Sequence, residues 1–347
     1  MSEPRNRSPP TPEPPRQGGP PSFWRSGTAV LSFVFGSPLA FFILCALAFV
    51  AAFLFQVGPH LQNLSFLVSR QERLWHMLLT LQPAFWVAAT LILWSEFRSH
   101  RSLWPGTWRE RMAVMFCTSV ALVMIALPFV AQFITWRVAP SVDTTGLASM
   151  AEFRTKTLIM SIIGAAVGAL HASSLFCVHV QLLGQLRESP PHGKQVEAGD
   201  LDEDVLRYQR FRSRLRRFLD LAAFNIGISI LSVGILRNLL NEAFPARPEL
   251  FPATAVLGYG FYFTALIASV YLPIRKTLAD VGEALSDRLI RQTLGTRATW
   301  KERSQEQQAA RTYLGLQEST FQELQQGLSV LSPLLASLSS LALGTGV

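Results

Sequence analysis

Two histidines and an asparagine stand inside long uncharged stretches of the chain, where a strongly hydrogen-bonding side chain is costly unless it has a task. His171 and His179 lie in the run from Thr157 to Leu186, and Asn225 lies in the run from Phe218 to Leu236. In hydrocarbon such groups face a bundle interior or an aqueous path and pair with one another, so these three form the candidate intramembrane polar site. His171 is 15 residues from Lys156 and 16 from Arg187, near the middle of its run. Asn225 is eight residues from Arg217, as His179 is from Arg187, which predicts a shared depth and a hydrogen bond between these two where the runs are neighbours. The chemistry open to the site is proton or ion passage through a titrating imidazole, or structural bonding by a neutral one. A shared metal is excluded for the two histidines, because eight residues at ~1.5 Å rise hold them ~12 Å apart.

No other constellation of catalytic type is present. The chain has no HExxH, no phosphate-binding glycine loop, no CxxC and no nucleophile elbow, and its apolar runs hold no pair of carboxylates to share acid and base roles. The expectation is therefore no enzyme, no cofactor and no metal. The three cysteines, Cys45, Cys117 and Cys177, all fall in apolar runs, which excludes a disulfide framework. The segment Val256 to Gly260 (VLGYG) shares its last three letters with a potassium-filter signature, but the run continues uninterrupted to Val270, so its glycines are read as points of close helix contact.

The elements that must position these residues are apolar helices. Of 347 residues, 49% are hydrophobic and only 16% charged, and the mean hydropathy is +0.27. Six runs are long enough to cross ~30 Å of hydrocarbon, which takes ~20 helical residues: 28–55, 74–95, 112–136, 157–186, 218–236 and 250–274. Backbone groups in lipid must bond internally, so the runs are helices, with Pro38, Pro83 and Pro128 expected to kink the first three. Of the 31 Lys and Arg, 24 fall in the arm, the alternate loops and the tail that share one side, and the remaining seven fall on the other. Cytoplasmic loops carry that excess, which puts both termini inside. Trp24, Trp75, Trp94 and Trp136 sit at run ends, the level that amphipathic rings favour. The net charge of +8 is thus a topology signal, and no nucleic-acid partner is expected.

Three further patterns bear on function. Gly164, Gly168 and Ala172 recur at four-residue spacing, a face that lets two helices approach closely, and His171 lies about 20° from Gly164 around the helix. The cluster Arg207, Arg210, Arg212, Arg214, Arg216 and Arg217 adjoins the fifth run, where it is suited to anionic lipid headgroups or a partner. In the tail, Leu324, Leu328, Leu331, Leu335 and Leu338 follow helical steps of three and four, a heptad seam with which two copies would associate. The same stretch, 324–347, carries no charged side chain, so an interfacial helix and a seventh span compete with the coiled coil. Its five serines and Pro333 count against a span.

The sequence therefore predicts an all-α integral membrane protein: a disordered Pro-rich cytoplasmic arm over 1–27, and a six-helix bundle over 28–274 with both termini inside. A basic loop spans 187–217 and a helical cytoplasmic tail spans 275–347. It reads as a non-enzymatic, self-associating scaffold or sensor, partnered by membrane lipids. The alternative is a transporter or pore with a polar path through His171, His179 and Asn225. An Arg to Lys ratio of 27 to 4 suits a GC-rich bacterial genome, hence a bacterial cytoplasmic membrane.

Overall fold

The computed structural model describes residues 37–56, 70–99, 103–138, 150–187, 198–243, 252–294, 299–316 and 320–345. The expected disordered arm, 1–27, lies outside them. The described residues form eight α-helices and no strand: α1 Pro38–Gln56, α2 Arg70–Ser99, α3 Trp108–Val138, α4 Met150–Arg187, α5 Ala198–Ala243, α6 Ala253–Thr293, α7 Trp300–Leu314 and α8 Thr320–Thr345. All but α7 contain a stretch long and apolar enough to cross a membrane. The chain is thus a helical protein of multi-pass membrane type, and the six spans read from the sequence are joined by a seventh candidate, Leu324–Gly344.

The chain divides into two units, Met1–Phe42 and Ile43–Val347. Of the first, the described part is Ser37 and the opening turn of α1. Pro38 is the first helical residue, where its missing N–H costs nothing, so it starts α1 instead of kinking it. Pro83, Pro128, Pro273 and Pro333 lie inside helices that continue past them.

In the second unit α5 is the hub, packed against α2, α4, α6 and α8. Its 46 residues make a rod of about 69 Å, twice the thickness of a hydrocarbon slab. The segment expected as a basic loop is helical from Ala198 onward, and α6 likewise runs unbroken from Ala253 past its charged residues to Thr293. The charged halves of α5 and α6, the end of α4 and α7 carry the main core on past the apolar segments, with Leu182, Leu201, Tyr208, Val281, Leu285 and Leu314 all at most 2% exposed. Arg288 pairs with Asp204 at 3.4 Å and Arg311 with Glu283 at 3.3 Å around that core. A capping box opens α7: Thr299 N–H donates to Glu302 at 2.9 Å, and Glu302 N–H donates to the Thr299 hydroxyl at 3.4 Å. Gly315 closes it in the left-handed region, φ 67°, with its N–H bonded back into the last turn.

The outward surfaces of α1, α3 and α8 are apolar. Ala52 is the buried residue of α1, while Leu47, Val50 and Leu54 are exposed, as are Phe116, Val123 and Val130 on α3. Faces of this size that meet no other helix suit lipid, not water.

The tail does not extend away from the bundle. Ser329 of α8 donates to Asp220 at 2.7 Å, Ser332 to the Ala223 carbonyl at 2.8 Å, and Asn238 to the Ser340 carbonyl at 2.9 Å. The partners advance together, so α8 lies parallel to α5. Against α6 it is antiparallel: Tyr271 bonds Gln326 at 2.8 Å, and Gly260 adjoins Ser337 and Leu334. A Cβ at Gly260 would collide with the Ser337 side chain, so the glycine is what lets these helices close up. This accounts for one glycine of the filter-like segment.

Candidate functional site

His171 and Asn225 meet. The Asn225 Nδ2 lies 3.0 Å from His171 Nε2, and both residues are buried, at 6% and 3% exposed respectively. An amide nitrogen only donates, so Nε2 is the acceptor and the ring proton sits on Nδ1, which is buried with no partner. The pairing expected between Asn225 and His179 is not formed. His179 sits two turns farther along α4 with its Nδ1 also buried and unpartnered. The reason is register. Gln185, near the end of α4, donates to the Asp204 carbonyl at 3.2 Å, so the end of α4 is level with residue 204 of α5 and not with Arg217. Counting inward from the last charge of each run therefore misplaces α4 opposite Asn225 by about eight residues, the step from His179 to His171, or ~12 Å.

The sequence reading missed two further members of this polar line. Ser229 lies one turn along α5 and donates to the Asn225 carbonyl at 2.9 Å, and Gln82 of α2 donates to the Ser229 hydroxyl at 2.5 Å. Three helices, α2, α4 and α5, are thus tied at one level. The sequence signal for Gln82 was its place in the middle of the second apolar run, next to Pro83.

Gly164, Gly168 and Ala172 sit on the face of α4 that meets other helices. A Cβ at Gly164 would lie 3.0 Å from the Trp86 ring of α2, and one at Gly168 would lie 3.1 Å from Ile125 of α3. Ala172 is 7% exposed. The two glycines also line the floor of a cavity of about 760 Å³. Its walls are apolar, from Phe49 and Phe53 of α1 to Phe263 of α6, and its mouth is charged, with Glu72, Arg73, His76 and Lys156. There His76 pairs with Glu72 at 2.9 Å and contacts Gln56 Oε1 at 3.2 Å. His171 and Asn225 do not line this cavity. They lie just below it, adjoining Gly168 by one turn and Ile226 by one residue.

The basic cluster is largely engaged with the protein. Arg214 is 6% exposed and pairs with Glu96 of α2 at 3.1 Å, and Arg217 pairs with the other oxygen of the same carboxylate. Arg216 bonds Gln325 of α8, Arg212 donates to the Leu314 carbonyl at 3.3 Å, and Arg207 lies 3.8 Å from Glu203. Arg210 is exposed. These side chains clasp α2, α7 and α8 to α5.

The leucine seam of α8 points outward. Leu324, Leu328, Leu331, Leu335 and Leu338 are all 42–59% exposed, whereas Gln326, Ser337 and Ser340 are buried. Among the described residues no three of His, Cys, Asp or Glu form a group suited to a metal ion. Compared with known proteins, the chain matches no family model, no curated protein and no solved structure.

Proposed function

We propose that the chain is a non-enzymatic integral membrane protein that crosses a bacterial cytoplasmic membrane seven times and serves as a scaffold or sensor with a helical cytoplasmic head. The observation that carries this reading is the continuity of α5 and α6. Each runs from an apolar half into a charged half without a break, and the charged halves carry the core on with the end of α4 and with α7. A displacement of either rod in the membrane is transmitted to the head, because packed helices move as units. Alternation of the seven spans, with the residues before α1 inside, puts the end of α8 outside, in place of the six-span arrangement with both termini inside.

The transport alternative has less support. A path through His171, His179 and Asn225 needs them to line an aqueous lumen, yet His171 is 3% exposed and bonded to Asn225, and His179 is separate from both. Arg210, the exposed arginine of the cluster that takes no part in the clasp, supplies a contact to anionic headgroups at ~1 kcal/mol. The outward leucines of α8 serve as a lipid face or as a contact with a second copy.

Purified protein in proteoliposomes tests the choice. A scaffold or sensor gives proton and potassium fluxes equal to those of protein-free vesicles, for the parent and for His171→Ala alike. A flux present in the parent and lost in His171→Ala overturns the reading in favour of transport.

A further inference from the structure

We infer that the 760 Å³ cavity is a binding site for an anionic acyl-chain amphiphile, which enters at the charged mouth and lays its chain toward Gly164 and Gly168. The inference rests on the membrane-spanning reading of the fold but not on the scaffold or sensor role. The volume falls within the ~300–1,000 Å³ of small-molecule sites. From Arg73 at the mouth to Trp86 at the floor is 13 residues of α2, about 20 Å, comparable with the ~15 Å depth of one leaflet's hydrocarbon. The walls between offer Phe49, Phe53, Phe129 and Phe263, with no charged side chain below the mouth among the described residues, so the deep part suits a hydrocarbon chain.

The head is selected at the mouth. Arg73 and Lys156 are cationic, and Lys156 is positioned over the Phe55 ring at 5.8 Å. The one carboxylate there among the described residues, Glu72, is engaged by His76 at 2.9 Å. Gln56 supplies the more specific signal. Its Oε1 faces His76 Nδ1 at 3.2 Å, the Thr80 hydroxyl gives its one proton to the His76 carbonyl at 2.7 Å, and the Gln56 Nε2 is buried and has no acceptor. A buried donor without a partner is costly, and a carboxylate or phosphate oxygen at this rim would satisfy it. Cations, an unspent amide donor and an apolar shaft beneath them together describe an amphiphile with an anionic head. A free fatty acid and an anionic phospholipid share that chemistry.

Photolabelling of the full-length protein in nanodiscs tests this, with three diazirine probes: palmitate, phosphatidylglycerol and hexadecanol. The expected result is labelling concentrated on cavity-lining peptides of α4 and α5 by at least one anionic probe, competed by its unlabelled parent. Whichever anionic probe labels best identifies the source. Ser161→Phe, which fills the lumen, and Arg73→Gln, at an exposed position that leaves the fold alone, should each weaken labelling roughly tenfold, the scale of one charged hydrogen bond. Labelling by hexadecanol as strong as by the anionic probes overturns the assignment of the head. Labelling spread equally over the outward leucines of α8, or unchanged in both variants, overturns the site. Failure of the membrane-spanning reading is separate and shows in accessibility mapping of residues 145 and 199, whatever the probes do.

Discussion

Glu96 holds two arginines of α5, and one of them, Arg214, has almost no water of its own. Removing the carboxylate strands a buried guanidinium, which costs about 3–5 kcal/mol, whereas an exposed ion pair is worth under ~1 kcal/mol. Glu96→Gln should therefore lower thermal stability sharply in detergent, and Glu96→Gln with Arg214→Met should recover much of the loss. If the single variant melts like the parent, the clasp is ornamental. The His171 and Asn225 pair is a milder case. Hydrogen bonds between membrane helices run about 0.6–2 kcal/mol, so Asn225→Ala should destabilise by that much, and a double-mutant cycle with His171→Ala should show coupling. No coupling means the 3.0 Å contact carries no energy. At the head, the Thr299 backbone N–H, and then its hydroxyl, hold the Glu302 carboxyl below the usual carboxylate range. A carboxyl whose folded pKa is depressed stabilises above its unfolded pKa, and the contribution is lost as pH falls through the folded value. Protection factors against hydrogen exchange across Trp300 to Leu314, each taken against the intrinsic rate at the same pH, should then fall at acid pH in the parent and be low already at neutral pH in Glu302→Gln. These residues were visible in the sequence as types and spacings, but their partners were not. The capping box is local and could be read three residues apart, while Glu96 and Arg214 are 118 residues apart and meet only through the register of two helices.

Helix α8 shows why an apolar stripe is a poor guide to the buried face of a membrane helix. In water, Leu324, Leu328, Leu331, Leu335 and Leu338 would have to be inside. In lipid, a leucine is as well solvated by acyl chains as by protein, and tight packing falls to small and polar residues. The serines that argued against a span are the ones that seat it, with Ser337 against Gly260 and Ser340 against Gly234. The stripe at 326, 329, 333, 337 and 340 has the same helical period as the leucines, so periodicity alone could not choose between them. Ser337→Leu should therefore force α8 off α6 and lower stability by more than 2 kcal/mol, as overpacked cores do. Leu331→Ala should change monomer stability little, and any loss of a dimer in that variant would mark the leucine face as a contact between copies. Thermal melts and size-exclusion light scattering of both variants decide the matter. The opposite outcome, with Leu331 critical to the monomer and Ser337 indifferent, would mean that α8 is rotated by half a turn. Six of the seven candidate spans were legible, since they follow directly from uncharged length. Their ends were not, because α5 and α6 run from an apolar half into a charged half without a break and only the charges mark the change.

At the scale of the molecule, charge and packing give one answer for the first six spans and part company over the last. The excess of arginine on alternate segments is the ground for expecting one set of ends of α2 to α6 to face the cytoplasm. Packing agrees, since Glu96, Asp204, Arg214 and Arg288 gather at one end of the bundle, while Glu72 and His76 lie at the other. The tail has no charge beyond residue 323 with which to vote, so sequence counting left it inside by default. Its contacts vote instead. Near the start of α8, Gln325 bonds Arg216 of α5, and toward its far end Gln71 donates to the Leu343 carbonyl at 3.2 Å. The start of α2 and the end of α8 therefore share a level, and that level is the one opposite the arginine-rich ends. A Cys introduced at Thr145 should react with an impermeant maleimide in intact cells, and one at Gly199 should react only after permeabilisation. The discriminating position is the last, because a Cys at Val347 should also react from outside. Protection at 347 with labelling at 145 would return the tail to the cytoplasm. It would also require α8 to leave the groove between α5 and α6, exposing Gly234 and Gly260, so the same cells should then show α8 cut by proteases added from the inside.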